Sequence, residues 1–303
     1  MSLFVFGHKS PDTDSVCSAI SLAYLKNKLG VDAKAYALEE PRKEAKFVLD
    51  YFKVELPEVL DPTKIKGQDV VLVDHNEIAQ TADGIEEANI VEIVDHHKIG
   101  NLSTDIPISV RIMPVGCTCT IVYNLFKENN VDVPYEIAGL LISAILSDTL
   151  IFRSPTTTEL DKQAVYELAE IAKVDYEAYG MEMFKAGTSL DGFSIEEIVN
   201  MDFKEFNMSG KRVGIGQVMT LDIDSILSKE ADFLDYINAT EFDMVVLAIT
   251  DIIKEGSYLI YKGEDKVISE AFNVNATQGV FAEGLVSRKK QLVPKLTDAV
   301  KNI

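Results

Sequence analysis

The segment Ile90-Val-Glu-Ile-Val-Asp-His-His97 decides the fold, because an apolar run rich in β-branched residues stops abruptly at three polar side chains. The same order recurs in Val70-Val-Leu-Val-Asp-His75, and Leu3-Phe-Val-Phe6 is a third short apolar run. Runs of this kind predict buried strands. Apolar residues recur at helical spacing between and after them, over residues 16–29, 41–52, 118–128, 134–148, 157–173 and 175–185. This alternation predicts an α/β domain with a doubly wound, mainly parallel sheet.

The length of 303 residues predicts a second domain, since a single hydrophobic core stops growing at roughly 250–300 residues. Residues 186–193, Ala-Gly-Thr-Ser-Leu-Asp-Gly-Phe, combine two glycines with short polar side chains, as is typical of a linker. We therefore expect a first domain over residues 1–187, a flexible linker over 188–194 and a second domain over 195–303.

The second domain is predicted to be a smaller, mixed α/β unit. Val213–Met219 and Met244–Ile249 are apolar runs that predict strands, and residues 223–237 have the apolar spacing of one helix. Asp251 closes the second of these strands, where a turn or cap role is the simpler explanation.

The composition excludes several classes of function. The chain has 49 acidic and 29 basic residues and a formal net charge of −20, so its mean field repels nucleic acid and anionic membranes. We predict no nucleic-acid or membrane partner, and an anionic substrate requires a local cationic pocket. Three sparse cysteines, with no signal sequence and no long apolar segment, lead us to expect a cytoplasmic protein.

The four histidines of the chain all follow predicted strands, and each lies beside an aspartate. Ligands of parallel sheets bind outside the carboxyl ends of the strands, so one crevice should collect these side chains: His8, Asp12, Asp14, Asp74, His75, Asp95, His96 and His97. Asp148 ends a strongly apolar helical stretch and is either a helix-end group or a further buried ligand.

Taken singly, these residues have simpler explanations, because Asp12 and Asp14 can cap a helix and Asp74 can cap a turn. The joint arrangement favours a metal centre. Carboxylate oxygens with a minority of imidazoles favour Mn²⁺, Co²⁺ or Mg²⁺ over a structural zinc ion, and so many ligands suggest two ions. Paired ions of this kind serve the hydrolysis of phosphoesters or phosphoanhydrides.

The densest cationic run of the chain is Ser287-Arg288-Lys289-Lys290. It is either a solvated helix face or the group of fixed cations that an acidic protein needs to handle polyphosphate. Lys204 is a second candidate, with a surface strand lysine as the equal alternative. Cys17 lies on the first predicted helix and is expected in the core, and Cys117 and Cys119 are too close for a zinc signature.

These motifs together resemble the DHH phosphoesterase superfamily and, within it, the manganese-dependent, family II inorganic pyrophosphatases. The resemblance runs over the whole length. It is carried by His8-x-x-x-Asp12-x-Asp14-Ser, Val73-Asp74-His75-Asn76, Asp95-His96-His97, Gly116-Cys117-Thr118, Ser147-Asp148-Thr149 and Ser287-Arg288-Lys289-Lys290-Gln291.

The resemblance implies a role for each motif residue. It implies that one manganese ion is bound by His8, Asp12 and Asp74. It implies that the other is bound by Asp14, Asp74, His96 and Asp148, with Asp74 bridging the two. Substrate contacts are implied for His97, Lys204, Arg288 and Lys289, with His97 as candidate proton donor. His75 and Asp95 would orient the ligands.

The activity implied by the resemblance is hydrolysis of pyrophosphate to two orthophosphates. A hydroxide bridging two Mn²⁺ ions, for which Co²⁺ can substitute, would attack in a cleft between the domains, and Mg²⁺ would arrive with the substrate. His97, Asp74 and Asp148 are the expected catalytic residues, and a homodimer is expected. The alternatives are an exopolyphosphatase or other DHH phosphoesterase and, from another class, a non-catalytic metal-binding module.

Overall fold

The structure is a computed structural model that describes residues 2–251 and 253–301. The chain divides into two units, Met1–Gly187 and Thr188–Ile303. None of the helices within the described residues is both long and apolar enough to cross a membrane.

The first unit is built on a parallel sheet of six strands. They are β1 (Leu3–Phe6), β2 (Ala33–Ala37), β3 (Glu58–Val59), β4 (Asp69–Val73), β5 (Asn89–Asp95) and β6 (Ser109–Ile112). Their order in the sheet is β3-β2-β1-β4-β5-β6, and every neighbouring pair is parallel. The chain therefore builds outward from β1 in one direction and from β4 in the other, and such a reversal is where α/β sheets bind ligands. The predicted parallel sheet is confirmed.

Six helices lie within the described residues of the same unit. They are α1 (Thr13–Lys28), α2 (Lys43–Tyr51), α3 (Thr118–Glu128), α4 (Tyr135–Asp148), α5 (Glu159–Ala172) and α6 (Tyr176–Gly187). α4 is buried from Ile137 to Leu146, as expected of a helix that is apolar on all sides. Cys17 is fully buried in the core between the helices and the sheet, which confirms its expected place.

The two faces of this sheet are covered differently. Val5, Val71 and Val94 pack in the same core as the helices. Phe6 and Leu72 belong to a second core, which is closed by loop residues such as Leu60 and Ile65 and by Ile85 of a short 3₁₀ turn at 85–87. A parallel sheet must be covered on both faces, and here loops and a short turn complete the second cover.

The second unit contains a mixed sheet of five strands. They are β7 (Phe203–Met208), β8 (Lys211–Thr220), β9 (Met244–Asp251), β10 (Gly256–Lys262) and β11 (Val280–Glu283). The order is β11-β10-β9-β8-β7, with β8 and β9 parallel and the other pairs antiparallel. The helices are α7 (Ile195–Asn200), α8 (Ile223–Leu227), α9 (Glu230–Ala239), α10 (Asp265–Phe272) and α11 (Val293–Lys301). The mixed α/β architecture is as predicted.

The single helix predicted over residues 223–237 is wrong, because the structure has α8 and α9 in its place. At the break, the Ser228 hydroxyl donates to the carbonyl oxygen of Ser225, and Lys229 has φ −99° and ψ 14°. Ile226 and Phe233 nevertheless share one core cluster. Apolar spacing continues across the break, so periodicity could not reveal it.

The segment 188–194 contains neither helix nor strand. Leu190 is buried among apolar residues of the second unit, and the Thr188 hydroxyl accepts a hydrogen bond from the backbone N–H of Leu221. Both of these contacts join the segment to residues of the second unit.

Candidate active site

The carboxyl ends of β1, β4 and β5 bring the predicted ligands of the first unit together. His8 follows β1, Asp74 follows β4, and His96 follows β5. A cavity of about 250 Å³ lies at this edge, lined by His8, Asp12, Asp74, Gln80, His96, His97, Gly116, Asp148 and Thr156. Gln80 ends a short 3₁₀ helix at Ile78–Gln80 and Thr156 lies in a turn, and neither was predicted because the sequence there carries no signal for this position.

The first ligand group consists of His8, Asp12 and Asp74, whose donor atoms all lie within 4.8 Å of one another. His8 Nε2 is 3.4 Å from Asp12 Oδ2 and 3.3 Å from Asp74 Oδ2. Asp12 also caps α1, because its carboxylate accepts from the backbone N–H of Ser15 at 3.1 Å. The sequence left two alternatives for Asp12, a helix cap or a place in the crevice. In the structure Asp12 caps α1 and also lies in the crevice.

The second group consists of Asp14, His96 and Asp148, which meet the same 4.8 Å criterion. His96 Nε2 is 3.9 Å from Asp148 Oδ2 and 3.5 Å from Asp74 Oδ1. Asp74 therefore turns one carboxylate oxygen toward each group. This is the arrangement of a carboxylate that can be shared between two cations.

Asp74 owes its position to an unusual backbone. Its φ of 62° lies in the left-handed region, which aspartate tolerates better than most residues. Its N–H still donates to the carbonyl oxygen of Val94 at 3.0 Å, so the chain leaves the sheet only at this residue. The carboxylate is thereby buried at the strand end, where 2% of the residue is exposed.

Asp14 is held by the N-terminus of α3. Its two oxygens accept from the backbone N–H groups of Thr118, at 2.7 Å, and Cys119, at 3.0 Å. The Thr118 hydroxyl donates to Asp74 Oδ1 at 3.1 Å. A helix N-terminus stabilises a carboxylate through free N–H groups and its dipole. Residue spacing could not reveal this contact, because the partners are over one hundred positions apart.

The loop before α3 is in turn fixed by Asp161, a fully buried carboxylate. Asp161 accepts from the Gly116 N–H at 2.9 Å, from the Thr120 hydroxyl at 2.6 Å and from Thr158 at 2.7 Å. Sequence analysis missed Asp161, although Thr158-x-x-Asp161 has the spacing of a helix capping box.

Backbone carbonyl groups orient three of the histidines. The Nδ1 atoms of His8, His75 and His96 lie 2.6, 2.8 and 3.1 Å from the carbonyl oxygens of Lys9, Val73 and Val115, respectively. This contact assigns the proton to Nδ1 and leaves Nε2 of His8 and His96 as the ligand atom. The Nε2 atom of His75 is buried without a hydrogen-bond partner within the described residues.

His97 is oriented by a carboxylate. Its Nδ1 lies 2.9 Å from Asp95 Oδ1, which also accepts from the His97 backbone N–H at 3.1 Å. Asp95 is fully buried, and its other oxygen accepts from the Asn76 amide at 2.5 Å. The His97 side chain is 52% exposed and borders the cavity, so its remaining nitrogen is accessible.

The electrostatics of the crevice favour positive charge. Burial opposes ionisation of His8, yet Asp12 and Asp74 raise its pKa to about 11. Burial likewise opposes the charge on His96, whose pKa rises to about 9 through Asp74 and Asp14. Burial and repulsion from Asp14 and Asp74 raise the pKa of Asp148 well above its ordinary value. A cluster of side chains that binds protons this strongly is suited to divalent cations, which carry a higher charge and displace the protons when they bind.

Cys117 and Cys119 lie next to Asp14, with donor atoms within 4.8 Å. Both thiols are buried, and burial raises the pKa of each. Since the thiolate is the metal-binding form, the raised pKa values disfavour these two thiols as metal ligands. Asp251 accepts from the backbone N–H groups of Ile253 and Lys254, both at 2.9 Å, and so has the turn role that was the simpler explanation.

The remaining predicted residues belong to the second unit. Lys204 is an exposed residue of β7, and Lys289 is exposed on a π-helical turn over 288–292. Arg288 begins that turn with a side chain only 12% exposed, and its Nη1 lies 2.7 Å from Asp202 Oδ1. The cationic run therefore includes a guanidinium held in place by a carboxylate, which a freely solvated helix face would not require.

Gln217 and Gln291 shape the backbone around Arg288. Gln217 accepts from the Arg288 N–H at 2.9 Å and donates to the Val286 carbonyl oxygen at 3.0 Å. Gln291 accepts from the N–H groups of Val286 and Ser287, both at 2.9 Å. Side-chain hydrogen bonds from two glutamines thus fix the backbone conformation of the cationic motif. The role of Gln217 could not be predicted from the sequence, because Gln217 lies 71 positions from Arg288.

Comparison with known proteins agrees with these motifs. The DHH family N-terminal domain matches residues 2–145, and the DHHA2 domain matches residues 181–299. The manganese-dependent inorganic pyrophosphatase of Bacillus subtilis (strain 168) is 44% identical over 98% of both chains. The chain belongs to the family II inorganic pyrophosphatases. The resemblance inferred from the sequence is thereby confirmed.

Solved structures support the family assignment. A Methanococcus jannaschii crystal structure assigned to the family II inorganic pyrophosphatases is 42% identical, with 99% of each chain covered and a TM-score of 0.62. An exopolyphosphatase-related protein from Bacteroides fragilis is 13% identical with a TM-score of 0.53, covering 99% of this chain and 92% of the other. The latter similarity concerns the fold alone.

Proposed function

We propose that this family II member hydrolyses inorganic pyrophosphate to two orthophosphate ions. The observation that carries the proposal is the Asp74 carboxylate, which turns one oxygen to His8 and the other to His96. Phosphoanhydride hydrolysis suits a site where two cations share a carboxylate. The choice of pyrophosphate as the substrate rests on the relationship to the manganese-dependent inorganic pyrophosphatase of Bacillus subtilis.

The residues that would hold the metals form two sets. One is His8, Asp12 and Asp74, and the other is Asp14, Asp74, His96 and Asp148. The donor chemistry fits Mn²⁺, with Co²⁺ as a substitute, and Mg²⁺ would accompany the substrate. Two such ions, when bound, would lower the pKa of a water molecule and neutralise charge on the phosphate oxygens.

His97 supplies a proton to the leaving phosphate in this proposal. The hydrogen bond that His97 Nδ1 donates to Asp95 raises the pKa of His97, against the opposing effect of burial. The raised pKa favours the protonated ring, and Asp95 fixes its orientation. A positioned imidazolium of this kind is an effective general acid.

Lys204, Arg288 and Lys289 contact the oxygens of pyrophosphate in the same proposal. Arg288 suits paired phosphate oxygens because its guanidinium presents parallel donors, and the lysines add point charge. In a chain of net charge −20, fixed cations offset the repulsion that pyrophosphate meets.

The protein assembles as a homodimer through its first unit and acts in the cytoplasm. β6 is an edge strand, and an unpaired edge with apolar side chains invites pairing with another chain. Val110 on β6 is 54% exposed, and Ile99 nearby is 80% exposed. Both line an apolar groove of about 190 Å³.

The cytoplasmic location rests on three cysteines that are all unpaired.

The test is phosphate release by metal-stripped protein in a Mg²⁺ buffer, with and without Mn²⁺. Pyrophosphate, tripolyphosphate and a short oligonucleotide are compared as substrates. Release from pyrophosphate that depends on Mn²⁺ is expected. Preference for tripolyphosphate would indicate an exopolyphosphatase, and Mn²⁺ binding without release from any substrate would indicate a non-catalytic module.

Two variants test the proposed ligands. Asp74→Asn and Asp148→Asn should each abolish turnover, because an amide cannot supply the negative charge that the ions require. Circular dichroism checks that the fold is retained. Near-normal activity of either folded variant would contradict its assignment.

A further inference from the structure

Glu44 joins two parts of the active site without belonging to either ligand group. It lies in the first turn of α2. Its Oε1 atom accepts from the Thr13 hydroxyl at 2.6 Å and from the Ser147 hydroxyl at 2.5 Å. Both distances are short for hydrogen bonds between two oxygen atoms.

The two hydroxyl groups belong to neighbours of proposed metal ligands. Thr13 stands between Asp12 and Asp14 at the start of α1, and Ser147 immediately precedes Asp148 at the end of α4. One carboxylate oxygen therefore connects two helix ends that are more than one hundred residues apart in the chain.

The position of Glu44 is fixed from its other side by Gly187. A Cβ atom at Gly187 would lie 2.9 Å from Glu44 Cβ and 3.0 Å from Glu44 Oε2. Only a residue without a side chain allows this approach. Glu44 is thus held between the last residue of α6 and the two hydroxyl groups.

We propose that Glu44 is a positioning residue that sets the distance between the ligands on α1 and the ligand on α4, and thereby the affinity for divalent cations. The identity of those ligands rests on the proposed function. Without an acceptor at this place, Thr13 and Ser147 lose their shared partner, and the two helix ends can separate.

The experiment measures Mn²⁺ binding to metal-stripped, full-length protein by calorimetry. Glu44→Ala should weaken binding by about 10–100-fold, the usual effect of removing a group that orients metal ligands. Glu44→Gln keeps an acceptor oxygen with two lone pairs and should stay within about threefold of the unmodified protein. Asp50→Ala, an exposed position on the same helix, is the matched control and should bind normally.

Thermal unfolding of the metal-free variants separates positioning from general stability. If Glu44→Ala binds Mn²⁺ within threefold of the unmodified protein, the proposal is overturned, whatever the change in melting temperature. Should Glu44→Ala not fold, Gly187→Ala decides the matter, because its methyl group displaces Glu44 while favouring the helix. Weakened binding by Gly187→Ala supports the proposal, and unchanged binding overturns it.

Failure of the proposed function has a different signature. An unmodified protein that binds Mn²⁺ but releases no phosphate from pyrophosphate would refute the pyrophosphatase activity alone. The effect of Glu44 is read from Mn²⁺ affinity, and it is tested in either case.

Discussion

Asp161 is the residue whose removal should most clearly separate the scaffold of the site from its ligands. Asp161→Ala removes the acceptor for the Gly116 N–H and the Thr120 hydroxyl, both of which are buried. Each buried donor left unpaired costs about 1–3 kcal/mol, so a loss of about 2–6 kcal/mol in unfolding free energy follows. The Thr158 groups are less buried and can turn to water, so they add little.

Asp161→Asn is the matched comparison. An asparagine can turn its carbonyl oxygen to the Gly116 and Thr158 N–H groups and its amide to the Thr120 hydroxyl, which can accept. Only the charge assistance is then lost, at about 1–2 kcal/mol. We therefore expect Asp161→Ala to be less stable than Asp161→Asn by roughly 1–4 kcal/mol.

The assay is urea unfolding of metal-stripped protein followed by far-ultraviolet circular dichroism, since the chain has no tryptophan for fluorescence. Mn²⁺ affinity is measured alongside, because the loop that Asp161 fixes also presents the N–H groups that hold Asp14. Equal losses in the alanine and asparagine variants, or a loss below 1 kcal/mol for alanine, would refute the reasoning.

Three further predictions concern the metal centre, the cationic motif and the dimer. Mn²⁺ binding should release protons, because His8 and His96 have raised pKa values and bind a metal ion only when neutral. Between pH 6 and 9, the affinity for Mn²⁺ should therefore increase by about tenfold per pH unit for each proton displaced. A pH indicator present during the Mn²⁺ titration measures the proton release, and an absence of release would contradict this prediction. Asp202→Asn should raise the KM for pyrophosphate by about tenfold, because Arg288 loses the carboxylate that orients it; steady-state kinetics giving an unchanged KM would exclude that role. Val110→Lys should convert the dimer to monomers in size-exclusion chromatography, because a lysine on an edge strand opposes pairing; a dimeric variant would place the interface elsewhere.

The sequence predicted those features that depend on short stretches of chain. The runs before Asp74 and Asp95 are strands in the structure: β4 ends at Val73, directly before Asp74, and β5 ends at Asp95. Because β1, β4 and β5 are parallel neighbours, their carboxyl ends meet, and the side chains that follow them converge. Local pattern and sheet topology together were sufficient to predict that these side chains meet at one edge of the sheet.

The supports of the ligands could not be predicted, because each depends on a contact between distant parts of the chain. Glu44 meets Ser147 across 103 positions, and Asp14 meets Thr118 across 104. Glu44 does not differ in the sequence from an ordinary helix residue, and the Gly116-Cys117-Thr118 motif does not show which carboxylate its backbone N–H groups contact. The pairing of Arg288 with Asp202 is similarly distant, so the cationic run alone could not distinguish a held guanidinium from a solvated one.

The left-handed backbone of Asp74 has a consequence for efforts to improve the protein. A left-handed conformation costs roughly 1–2 kcal/mol for a residue with a side chain, and glycine avoids most of it. Glycine would relieve this backbone cost but would remove the acceptor of the buried Thr118 hydroxyl, whereas the proposed chemistry requires the carboxylate. A library screened only for heat resistance places no demand on the metal-binding role of Asp74, so directed evolution of this fold needs an activity filter from its first round.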